Sequence, residues 1–247
     1  MYRSLFHKRW LIVAVLFFTS LFVARVPLKA ELWLISAVAI FLFATPVFVA
    51  AWQWLGRLRG SVLLTALGLY AFIFETIAIK TGFPYGNFVY NDLLGPKLLD
   101  AAPVTVLLAW TPLILGVIYL VQHISDIYAR AVLATILLVV TDIVLDPAAV
   151  HVGFWFWDTP GFYYGVPLVN FLGWVVSGSI GISGVLMAQH YFKFPALPPL
   201  FALNLSFIIA FWASVNLWAG QYVPAVIGLI VLIYIAKKLP TEAVSKL

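Results

Sequence analysis

Residues 200–218, LFALNLSFIIAFWASVNLW, run for 19 positions without one ionisable side chain. A helix that crosses a bilayer needs about 20 such residues, because its backbone amides must find partners within the segment itself. Seven further apolar runs stand around this one. The eight together lie at 10–26, 32–55, 61–79, 104–121, 128–145, 167–188, 200–218 and 222–236, the first and last being short. The runs are continuous rather than alternating, which excludes a membrane β-barrel. Composition agrees: 64% of the 247 residues are hydrophobic and 9% are charged, against roughly 45–50% and about 25% in ordinary soluble domains. With a mean hydropathy of +1.08 the chain lacks the charge to cover a water-facing surface. The expected fold is all-α: one polytopic integral-membrane helical bundle over residues 1–247, of about eight spans with seven as the nearest alternative.

Lys and Arg in short loops set the orientation. Arg3, Lys8, Arg9, Arg57, Arg59, Arg130, Lys193, Lys237, Lys238 and Lys246 fall on one side of an eight-span chain, and only Arg25, Lys29, Lys80 and Lys97 on the other. Both termini are therefore expected in the cytoplasm of a prokaryotic cell, with no cleavable signal peptide. The net charge of +5 does not point to nucleic acid, since the basic residues lie between apolar runs. The absence of cysteine excludes disulfides, thiolate metal sites and a cysteine nucleophile. His7, His123, His151 and His190 are too scattered for a multi-histidine metal cluster, and no nucleotide or zinc-protease motif is present. No metal and no cofactor are expected.

The acids segregate opposite to the bases. Glu75 and Asp142 sit inside apolar sequence, where an ionised carboxylate is costly unless partnered. Each opens one of two polar segments, 75–110 and 142–174, which hold similar cores, Gly-Phe-Pro-Tyr-Gly at 82–86 and Gly-Phe-Tyr-Tyr-Gly at 161–165. Gly and Pro allow tight non-helical backbone near a membrane surface, provided that it is buried or faces water. The aromatic residues Tyr85, Tyr90, Trp110, Trp155, Trp157, Tyr163, Tyr164 and Trp174, with Asn170, are the binding candidates, against the alternative of an interfacial belt. Asp142 and Asp146 are four apart and share a helix face. Capping of a helix end is the competing account of that pair, since the residue before Pro147 is pushed out of the α region and marks an expected terminus. His151 reads as a hydrogen-bonded structural residue. It joins Asp92 and Asp158 as a secondary candidate. An Asp-x-x-x-Asp pair also fits the magnesium–diphosphate site of a membrane prenyltransferase, but that site needs a second acidic motif and nearby cations. Only Asp92, Asp100, Lys80 and Lys97 are on offer.

The string from Glu75 through KTGFPYGNFVYNDLLGPKL and PVTVLLAW to TDIVLDPAAVHVGFWFWDTPGFYYGVPLVNFLGW resembles the integral-membrane carotenoid biosynthesis proteins. These are the CruF-type carotenoid 1,2-hydratases of bacteria, with haloarchaeal bisanhydrobacterioruberin hydratase as a relative. The resemblance covers roughly residues 70–190. It implies addition of water across the terminal double bond of an acyclic carotenoid end, giving a tertiary alcohol without redox cofactor or metal. Such hydration needs an acid able to protonate an alkene, a stabilised tertiary cation, and a delivered water. A carboxyl enclosed by apolar groups favours its protonated form, and Glu75 and Asp142 lie in that setting. Aromatic faces steady a cation, and Asp146 is placed to take the proton of water. Catalytic candidates are thus Glu75, Asp142 and Asp146. The expected partners are a carotenoid entering sideways between spans, membrane lipids and other enzymes of pigment synthesis. A non-catalytic carotenoid- or lipid-binding membrane protein is the competing function. It would need the aromatic groove but not the buried acids.

Overall fold

The computed structural model describes residues 8–240; Arg3, His7, Glu242 and Lys246 lie outside the described residues. The architecture is an all-α bundle. Among the described residues seven helices follow in order: α1 (Arg9–Arg25), α2 (Trp33–Thr81), α3 (Val106–Val121), α4 (Ile127–Val152), α5 (Leu168–Tyr191), α6 (Leu200–Trp218) and α7 (Tyr222–Lys238). Helix α2 is in fact two arms. They meet at Gly56, whose φ of 78° and ψ of 165° only glycine adopts without strain. The arms fold back there, so that Trp52 Nε1 donates to Ser61 Oγ at 3.0 Å. The apolar runs 32–55 and 61–79 are these two arms, and each of the other six runs coincides with one helix. Four stretches are long and apolar enough to cross a membrane: Ala30–Thr81, Ile127–Val152, Leu168–Tyr191 and Leu200–Trp218.

Burial sorts the helices. In the most apolar stretch of α6, 72% of residues are buried, against 28% in α2, so α6 is the axis and α2 faces outward. Helix α6 touches α1, α2, α3, α4 and α7, and α3 is buried on most of its circumference between α2, α4 and α6. A helix that is apolar all round belongs in such a position. Between apolar helices in lipid, small residues permit close approach. A Cβ on Gly68 would stand 2.6 Å from the Leu107 carbonyl, and one on Gly116 2.7 Å from Leu205.

Two connections, 82–105 and 153–167, cover the same end of the bundle and form a cap. The short strands β1 (Phe88–Tyr90) and β4 (Trp155–Trp157) pair antiparallel across it, with Phe88 opposite Trp157 and Tyr90 opposite Trp155. A second ladder joins β2 (Lys97–Leu98) to β3 (Ala102–Pro103). The sequence reading does not anticipate these strands. It also ends the fifth span, 128–145, too early, because α4 passes through Pro147 and stops only at Gly153, which is left-handed with a φ of 82°. Asp146 is therefore inside a helix, not at its terminus. Membrane helices tolerate proline where neighbours supply hydrogen bonds. One turn before Pro147 the two helices are tied together, Asn216 Nδ2 of α6 donating to the Val144 carbonyl at 2.7 Å.

Candidate active site

Beneath the cap, α2, α4 and α5 bring three carboxyls and one amide together. Glu75 comes from the last two turns of α2, Asp142 and Asp146 from successive turns of α4, and Asn170 from the first turn of α5. All four are buried. One amide nitrogen serves both aspartates: Asn170 Nδ2 donates to Asp142 Oδ2 at 2.9 Å and to Asp146 Oδ2 at 2.5 Å. The two aspartates are also within hydrogen-bonding reach of each other, as their i, i+4 spacing allows. The Tyr90 and Trp110 side chains stand within reach of the Glu75 carboxyl, and Trp155 within reach of Asp146. Glu75 lies close enough to both aspartates for their charges to interact. Glu75 Oε2 and Asp142 Oδ1 are buried without a hydrogen-bond partner among the described residues. Buried polar atoms are seldom left so.

Aromatic rings close this end. Trp110 stacks on Trp174 at 4.5 Å between centroids, and Tyr85 meets both rings edgewise or tilted, at 6.4 and 6.0 Å. Trp157 Nε1 donates to the Tyr85 carbonyl at 2.8 Å and thereby ties the second connection to the first. Phe88 packs against Trp157, and Tyr90 against Trp155, across the ladder. Burial holds the Tyr85 and Tyr90 phenols well above their ordinary range, so both stay neutral.

Below the rings runs a cavity of about 270 Å³. Glu75, Asp146 and Asn170 reach it at the capped end, together with Tyr85, Tyr90, Trp110, Trp155, Trp157 and Trp174. The rest of its wall is apolar apart from Ser36 and Thr105. Phe43, Phe88, Phe154 and Trp212 line it too. No sequence signal marks those four, because a side chain facing a cavity and one facing lipid are equally apolar.

Other candidates lie elsewhere. Tyr163 and Tyr164 pack on each other at the rim, 5.1 Å apart, outside the cavity wall, and burial pushes the Tyr163 phenol up to about 12. His151 uses its ring Nε2 to hydrogen-bond the Ala24 carbonyl at 2.9 Å and so pins α4 to α1. Asp92 makes a surface ion pair with Lys97 at 3.1 Å, and Asp158 is exposed on the outer side of the cap. Neither Lys80 nor Lys97 reaches the cavity, and among the described residues no Lys or Arg lines it.

Residues 31–235 match a protein family described as carotenoid biosynthesis protein. A curated relative, the bisanhydrobacterioruberin hydratase of Haloarcula japonica, is 35% identical over 179 residues, covering 67% of this chain and 59% of that protein. The chain thus spans about three fifths of that relative's length. No solved structure matches the chain.

Proposed function

The chain belongs to the carotenoid biosynthesis protein family, and on that premise we propose that it hydrates a carotenoid, adding water across the terminal double bond of an acyclic end to give a tertiary alcohol. One observation carries the proposal: Glu75 and Asp146 meet at the end of a largely apolar cavity under aromatic rings, with Asp142 behind them on Asn170. A binding protein for a hydrocarbon would gain nothing from burying Glu75, Asp142 and Asp146. Burial of acids is costly and calls for a purpose.

In this reading Glu75, in its acid form between Tyr90 and Trp110, gives its proton to one carbon of the terminal double bond. A C–H bond forms there, and the positive charge falls on the carbon that bears two methyl groups. The faces of Trp110 and Trp174 steady that charge, by about 0.5–2 kcal/mol each where water is excluded. Water then bonds to the cation through oxygen and releases a proton to Asp146. The Asp142–Asp146 pair, held by Asn170, shares that proton and passes it back to Glu75, which ends the cycle in its acid form with Asp146 again ionised. One water molecule is consumed and no electron is gained or lost. The relative is named a hydratase, and the chemistry of the cluster fits that name.

Oxygen-18 water tests the reaction. The label should appear in the alcohol, and turnover should proceed without molecular oxygen or added cofactor. Label arriving from oxygen gas would make the reaction a hydroxylation. The proposal further places both termini in the cytoplasm and the cap on the opposite face. Cysteines introduced at Asn91 and Asp158 into this cysteine-free chain should react with impermeant reagents from outside; reaction only from the cytoplasm would reverse the orientation.

A further inference from the structure

Helices α1 and α2 are neighbours in sequence, yet both pack on α6 without an extended contact between them. The cavity reaches into the gap this leaves. Val23 and Leu28 form one wall there, and Ala39 and Phe43 of the first α2 arm form the other. At the rim, Phe22 and Ile35 are 61% and 65% exposed. These rim residues belong to apolar helices, so the mouth opens sideways, toward the hydrocarbon around the bundle and not through the cap. The far end is shut by the stacked Trp110 and Trp174.

Size and chemistry then constrain the occupant. At about 270 Å³ the cavity lies at the lower edge of the roughly 300–1,000 Å³ that enclose a drug-sized ligand. A long polyene is several times too large for it. The gap, for its part, carries one polar side chain, the hydroxyl of Ser36, and no charged residue lines it, so a hydrocarbon suits it.

We propose that the cavity takes in only one end of a linear isoprenoid, while the rest of the hydrocarbon leaves through the gap between α1 and the first arm of α2 into the lipid, so that what the far end carries does not matter. The identity of the chain as an isoprenoid rests on the hydration reading above; the route does not. A long linear polyene bearing a photoreactive diazirine at mid-chain, added to the protein in lipid vesicles, should label residues 22–43. The same polyene with the diazirine near its end should label the aromatic rings beneath the cap. Mid-chain labelling confined to the cap connections would overturn the route. Labelling in the expected places without any hydration would discard the hydration reading and keep the route. Function is tested in the double variant Val23→Cys, Ala39→Cys, bridged by a reducible bifunctional thiol reagent. Turnover of the long polyene should be lost while the bridge holds and should return on the same sample after reduction. Undiminished turnover in fully bridged protein would overturn the proposal.

Discussion

The cores Gly82–Gly86 and Gly161–Gly165 share four of five residues and take opposite roles in the fold. The first follows α2 without a spacer. Gly82, with a φ of 74°, ends the helix, and Gly86 N–H donates to the Gly82 carbonyl at 2.7 Å. That turn drives Tyr85 inward until it is 2% exposed among Trp110 and Trp174. The second core follows β4 and Pro160. It closes in the reverse sense, Gly161 N–H donating to the Gly165 carbonyl at 3.0 Å, and leaves Phe162 84% exposed. Composition alone does not make a site. What differs is the distance from a carboxyl-bearing helix end: a turn set directly on that end points its tyrosine at the acids, and one set beyond a strand points it at the rim.

The acids under the first core provide the sharpest way to break this contrast. Glu75→Gln and Asp142→Asn keep size and polarity but remove a transferable proton, and each should lower turnover by about 10²–10⁴-fold. Folding and polyene binding should persist. Turnover per folded molecule is the quantity to measure, and near-normal values in both variants would end the assignment of these residues.

Tyrosine truncation compares the cores directly. Tyr85→Ala removes a buried ring and should cost about 3–5 kcal/mol of stability, whereas Tyr164→Ala at the rim should stay within about 0.5 kcal/mol. Thermal unfolding in detergent reads both. Equal losses would abolish the distinction between the cores.

Asn170 adds a further comparison, since it stands under both connections at once. Asn170→Leu leaves two buried carboxyls without their shared donor and should cost about 1–3 kcal/mol. It should also lower turnover in protein that still binds polyene. Unchanged turnover would reduce Asn170 to a packing residue.

The smallest effect concerns the tie between the connections. Trp157→Phe deletes the hydrogen bond to the Tyr85 carbonyl while keeping a ring, at a cost of about 1 kcal/mol. Hydrogen exchange should rise at residues 85–90 and not at 161–165. A uniform rise over both would show that the cap opens as one body.

Hydropathy is a local property, so the helices were legible without a fold. Each apolar run became a helix or an arm of α2, and Glu75 and Asp142 stood out because charge inside such a run is rare for an energetic reason that neighbours in sequence already reveal. Family membership was legible too, in the string from the first core to Trp174. The end of α4 was not. A proline predicts a break, yet α4 continues through Pro147 to Gly153 with α6 packed along it, which sets Asp146 one turn after Asp142 and brings both to Asn170. The ladder of 88–90 with 155–157 joins segments more than sixty residues apart, and three-residue strands carry too little pattern to announce a partner. The inward turn of Tyr85, the outward one of Tyr164, and the gap between α1 and α2 were likewise decided by tertiary structure. One apolar side chain reads like another in sequence, and only packing determines whether it meets a helix, a cavity or lipid.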